Sequence, residues 1–187
     1  HIVKWSNLIN GLILSEGDNK KRIWFTKSNT NLNTTSNISE DGWKKVNKYH
    51  IQKGGHTAIV ELNGEIIFGS DYMGGTNFLI STKDMLQFNE KVVPNPHRRC
   101  LFRRMMVRIN KNGESEIWTN LNFEYGGGVK CLIMVSVDLG KTWRKVIQYD
   151  GKQFKVRMIS YSNHIAKELY ILLVNNKDNT STTLQVS

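Results

Sequence analysis

The strongest constraint on this chain's fold is a unit that recurs along it. Two short apolar runs joined by a tight polar turn are followed by a polar or glycine-rich loop, a third run, a short turn, and an aromatic residue that opens a fourth run. From His56 the unit reads TAIVEL, the turn pair Asn63-Gly64, EIIFGS, the loop DYMGGT, NFLIS, TKDMLQ and FNEKVV. The Asn-Gly pair supplies the positive φ values that a two-residue hairpin needs. From about Arg104 the same order returns as MMVRIN, KNG, SEIWTN, LNFEYGGG, VKCLIMVS, VDLGKT and WRKVIQ. A rougher copy from Gly11 runs LILSE, GDNK, RIWFT, a polar loop, TTSNIS, EDG and WKKVNK, so that Trp43, Phe88 and Trp143 take equivalent places. Short runs of Val, Ile, Leu, Phe and Trp with weak helical periodicity predict antiparallel strands. Repeats of roughly 40 to 50 residues with four strands each predict an all-β chain, a β-propeller of four-stranded blades.

A fourth unit opens at about Lys155 with KVRMIS, continues through ELYILLV and TTLQVS, and lacks a last strand. WSNLI at Trp5 resembles WRKVI at Trp143, which makes the N-terminus the candidate for that strand. The expected organisation is one domain over residues 1–187, with blades at about 11–48, 56–93, 104–148, and 155–187 plus 1–9. The alternative is part of a ring of five or more blades. The start at His1 rather than Met is expected of a processed piece of a longer protein.

Residues 136–143, SVDLGKTW, match the pattern S-x-D-x-G-x-T-W at all five defined positions. The stretch resembles the Asp-box of the bacterial neuraminidase repeat, found in sialidase-like β-propellers. Degenerate forms keep Ser39, Asp41 and Trp43 in SEDGW, and Thr82, Asp84 and Phe88 in STKDMLQF. The physical role of such a motif is a tight turn. Ser136, Asp138 and Thr142 satisfy turn amides, Gly140 permits a left-handed conformation, and Trp143 covers the hairpin. The resemblance implies that this face is structural and that ligands meet the opposite face.

On the opposite face the expected loops are 48–56, 94–104 and 149–155 between blades, and 27–33, 70–75, 122–128 and 175–179 within them. They offer Tyr49, His56, Tyr72, His97, Arg98, Arg99 and Tyr125 as ligand-binding candidates. Aromatic faces suit sugar rings, and planar guanidinium groups suit carboxylate or phosphate. Five of the eight arginines crowd into 98–108, where alternation puts Arg104 and Arg108 on one side of a strand and Met105 and Val107 on the other. If that side faces the ring axis, the channel is basic. Trp24 and Trp118 fall on second strands of their units and are expected to pack between blades.

Lys and Arg number 26 against 16 Asp and Glu, a formal charge of +10 that suits an anionic partner. Cys100 and Cys131 have neither zinc-site nor disulfide-framework spacing, and the five histidines form no HxH or HExxH pair. No metal, cofactor or membrane span is expected. Nucleic acid is disfavoured because no recognised module is present. A sialidase would use arginines from several blades, a tyrosine aided by glutamate, and an aspartate; the chain offers Asp71, Glu124 and Tyr125 but no R-I-P-type motif. The leading expectation is non-catalytic recognition of an anionic glycan or cell-wall polymer, by part of a larger extracellular or virion-surface protein such as a phage tail or receptor-binding protein. The alternatives are a sialidase-type hydrolase and an assembly module that binds protein partners or other copies of itself.

Overall fold

A computed structural model describes residues 2–17, 21–26, 42–46, 55–123, 128–160 and 165–186. These form strands and turns, with no helix among the described residues. Sheet 1 contains β1 (Ile2–Ser6), β2 (Gly11–Ser15), β3 (Ile23–Phe25) and β4 (Lys44–Val46) in that order. Sheet 2 contains β5 (Gly55–Leu62), β6 (Glu65–Asp71), β7 (Phe78–Thr82) and β8 (Asn89–Val92). Sheet 3 is built from β9 (Leu101–Ile109), β10 (Ser115–Asn122), β11 (Cys131–Ser136) and β12 (Arg144–Tyr149). Sheet 4 has β13 (Phe154–Ser160), β15 (Leu169–Asn175) and β16 (Ser181–Val186), while β14 (Ile165–Ala166) leaves it to run parallel to β9. All other pairings are antiparallel meanders, as the recurring unit leads one to expect.

The N-terminal segment corrects the expected blade boundaries. β1 does not complete sheet 4; it pairs with β2 in the register Ile2↔Ser15 to Ser6↔Gly11. The connecting turn at residues 7–10 closes with Asn10 N–H donating to Asn7 O at 3.2 Å, and Asn10 adopts φ 48°. LILSE is therefore a second strand rather than a first, and Trp24 lies on the third strand, not the second. Trp43 still directly precedes β4, as Phe88 precedes β8 and Trp143 precedes β12.

The sheets pack face to face in chain order because each strand alternates its apolar residues. Ile13, Ile23 and Phe25 of sheet 1 meet Ile59, Ile66 and Phe68 of sheet 2. The other face of sheet 2, with Ala58, Val60, Ile67 and Leu79, meets Phe102, Val107, Ile117 and Leu121 of sheet 3. Trp118, Ile133 and Val135 on the far side of sheet 3 then meet Met158, Leu169 and Ile171 of sheet 4. Phe68 is fully buried, and a side chain of that size contributes about 2–3 kcal/mol by leaving water. Sheets 2 and 3 approach so closely that a Cβ at Gly69 would lie 2.4 Å from Phe102 Cγ. On the outer face of sheet 1, Val3 is 61 % and Trp5 39 % exposed.

Candidate functional site

The tight turns at one end of sheets 2 and 3 use their polar side chains internally. Between β11 and β12, Ser136 Oγ donates to Asp138 Oδ1 at 2.7 Å and accepts from Gly140 N–H at 2.8 Å. Asp138 also accepts from the Thr142 amide at 2.8 Å and the Thr142 hydroxyl at 2.6 Å. Burial alone would raise the Asp138 pKa, but the hydrogen bonds from Thr142 and Ser136 outweigh it and hold it at about 2. Leu139 and Gly140 take φ 59° and 78°, and Trp143 Nε1 donates to Gly140 O at 3.1 Å. Between β7 and β8, Thr82 Oγ1 accepts from Met85 N–H at 3.0 Å and donates to Gln87 O at 2.6 Å. There Asp84 accepts the amides of Leu86 and Gln87, each at 2.8 Å. Ser39 and Asp41 lie outside the described residues.

The opposite end carries both a buried polar network and exposed charge. Asn77 is fully buried and organises the loop after β6: its Oδ1 accepts from Ser70 Oγ at 2.9 Å and from Tyr72 N–H at 2.7 Å. Its backbone N–H donates to Arg98 O at 2.9 Å, tying the 97–100 turn to the loop that carries Asp71 and Tyr72. Lys21 Nζ lies 4.6 Å over the half-exposed Tyr72 ring. Asp71 reaches Arg103 NH1 at 3.9 Å. Arg103 is the extra residue of a bulge, since Asn120 pairs with Arg104 and Leu121 with Phe102, and bulges re-aim side chains in this way.

Beside this bulge a cleft of about 530 Å³ opens between β9, β10 and β13, lined by Arg103, Arg104, Asn120, Asn122, Lys155 and Arg157. Among the described residues, no Asp or Glu lines it. Its polar floor is held from behind: Asn122 Oδ1 accepts from Cys131 Sγ at 3.2 Å and from Tyr149 OH at 3.5 Å. Burial raises the Cys131 and Tyr149 pKa values, so both stay protonated as donors. Asn120 is 2 % exposed, and among the described residues its Oδ1 has no hydrogen-bond partner. Four cations around one hollow concentrate positive potential there, which is the electrostatic requirement for drawing in an anionic chain.

The expected candidates are thus spread over several places. Arg104 and Arg108 do share a side of β9, opposite Asn120 and Glu116 respectively. Arg108, however, is 4 % exposed and internally engaged, with NH1 3.4 Å from Glu116 Oε2 and Nε donating to Lys167 O at 3.2 Å. Trp118 packs in the core between sheets 3 and 4, and its Nε1 donates to Glu116 at 2.8 Å. Trp24 is half-buried and donates to Glu16 at 2.8 Å. His56 is not on the surface: it is 1 % exposed, edge-on to Phe68, with both ring nitrogens unpartnered among the described residues, and burial lowers its pKa to about 4. Arg98 and Arg99 are exposed on their turn without lining the cleft, and His97 lines a different pocket. Tyr49, Glu124 and Tyr125 lie outside the described residues.

Lys155 and Arg157 were the cleft cations that sequence reasoning did not single out. Their signal is KVR at the start of a first strand, two cations with period two. Among the described residues, no group of three His, Cys, Asp or Glu is placed to hold a metal ion. No helix of the described residues is long and apolar enough to cross a membrane. Cys100 and Cys131 are both buried and free, and burial pushes the Cys100 thiol up to about 12.

No protein-family model matches this chain, and no curated protein matches it. Among solved structures, an endo-arabinase from Bacteroides thetaiotaomicron is similar at 13 % identity with a TM-score of 0.47, over 98 % of this chain and 72 % of that one.

Proposed function

We propose that this chain is a β-propeller module of the Asp-box type that recognises an anionic glycan or cell-wall polymer without altering it, as part of a larger extracellular or virion-surface protein. The observation that carries the reading is the cleft in which Arg103, Arg104, Lys155 and Arg157 converge with two asparagine side chains. Guanidinium groups match carboxylate and phosphate with paired N–H donors, and asparagine amides suit sugar hydroxyls. The satisfied turns at the far end leave that end little to offer a ligand, which supports placing recognition at the cleft.

The test is binding of a purified anionic cell-wall polymer, with a neutral polysaccharide as control, at two salt concentrations. Arg104→Ala combined with Arg157→Ala is expected to weaken binding about 10-fold or more and to flatten its salt dependence. Salt-insensitive binding, or binding untouched by the double variant, would sink the reading. One observation favours a hydrolase instead: the Asp71 carboxylate is anchored beside the cleft by Arg103. Release of reducing ends from the polymer, abolished by Asp71→Asn, would establish hydrolysis and overturn recognition alone.

A further inference from the structure

The seam between sheets 2 and 3 is packed along most of its length but opens at its outer edge into a second pocket, of about 230 Å³. Its walls are apolar: Leu79, Phe102, Leu132, Met134 and Trp143. A void of this kind leaves its lining without dispersion partners on one side, and apolar cavities take up small apolar ligands rather than water. At about 30 Å³ per water-sized group, the space suits a body of roughly seven or eight carbons.

The mouth carries charge. Lys91 stands opposite Leu79 on β8, and Lys145 stands opposite Met134 on β12. Directly opposed residues of an antiparallel pair share a face. Leu79 and Met134 both belong to the core between these sheets, so the two lysines start from facing outer strands on the sides that look into the seam. Both are exposed, and both line the pocket. Lys91 Nζ crosses the seam to donate to Lys141 O, and Lys145 Nζ donates to Gln148 Oε1 at 3.0 Å, so in these contacts each meets a neutral oxygen. Among the described residues, no Asp or Glu lines the pocket. Two ammonium groups across one seam repel each other unless an anion sits between them.

We propose that this pocket binds an amphiphilic carboxylate, with its apolar body against Phe102, Leu132, Met134 and Trp143 and its carboxylate between Lys91 and Lys145. The site is separate from the basic cleft and does not depend on what the cleft binds. His97 lines the same pocket and serves as a reporter. Burial first, and the Lys145 charge second, lower its pKa. A carboxylate beside Lys145 would offset the second cause and move the His97 pKa up.

The probes are octanoate, 1-octanol and octylammonium, titrated by calorimetry against the 187-residue chain. Octanoate is expected to bind about 10-fold tighter than octanol, with octylammonium weakest. Lys91→Gln and Lys145→Gln are each expected to reduce octanoate affinity about 5-fold while leaving octanol unchanged. Both probes bury His97 further, so in NMR titration the His97 pKa should end higher with octanoate, which also offsets the Lys145 charge, than with octanol. Equal affinity for octanoate and octanol, no saturable octanoate binding, or lysine variants without effect would each overturn the proposal. Should a lysine variant misfold, the three-probe comparison on the unaltered chain still decides it.

Discussion

At the turn end of sheets 2 and 3, Thr82, Asp84, Ser136 and Asp138 direct their oxygens to amides of their own hairpins. At the other end Arg104, Lys155 and Arg157 surround an open cleft, and among the described residues Asn120 Oδ1 has no partner and buried His56 has neither ring nitrogen satisfied. Polar residues that complete one another locally stabilise the fold. Polar residues left incomplete cost stability, and where they line an open cleft they are available to a ligand. The contrast supports the proposal that recognition lies at the cleft rather than at the turns.

The largest expected effect comes from the incomplete end. His56 is neutral in the folded chain, with a pKa of about 4 against about 6.5 when unfolded. The folded state therefore binds fewer protons in that window. Stability is full above about pH 6.5 and falls by about 3 kcal/mol as pH drops to about 4. Denaturant melts across this range should show the fall, and His56→Leu should flatten it. A flat profile in the unaltered chain would mean that His56 finds a partner and that this end is less incomplete than it looks.

The turn end should respond next. Ser136→Ala strands the Gly140 amide and Thr82→Ala strands the Met85 amide, both at buried positions. Each is expected to cost about 2 kcal/mol, or about 4–8 °C in Tm, without changing polymer binding. The cleft double variant should do the reverse, lowering binding with little change in Tm. Any turn variant that weakens binding at unchanged Tm would break the division between the two ends.

The smallest effect is in acid. Asp138 has its folded pKa held down to about 2, so its contribution is present above about pH 4 and is lost as pH falls to about 2. Solvent screening at this surface turn limits it to under about 1 kcal/mol. Asp138→Asn should remove that part of the acid transition, read as the change in denaturant midpoint between pH 4 and pH 2.

The hairpins were legible in the sequence because their causes are local. Asn63-Gly64 takes φ 49° and 76° as a two-residue hairpin requires, and residues 136–143 close on themselves within eight positions. The partner of β1 was misread because its likeness to a distant strand outweighed a nearer signal, the Asn10-Gly11 pair that ends its turn. The cleft was half legible. Arg104 stood out as part of a charge run, but nothing local distinguished it from Arg108, which turned inward to Glu116 and the Lys167 carbonyl.

By itself, then, the sequence determined an all-β chain of antiparallel meanders, because strand alternation and turn chemistry act over a few residues. Only the tertiary structure decided which sheet β1 joins, that β14 adds to β9, and that His56 is buried while Arg104 shares a cleft with Lys155 and Arg157. It also set Lys91 and Lys145 on facing strands of one seam. Those outcomes depend on which faces stack and how closely, and burial and charge pairing across a seam are properties of two sheets rather than of either segment.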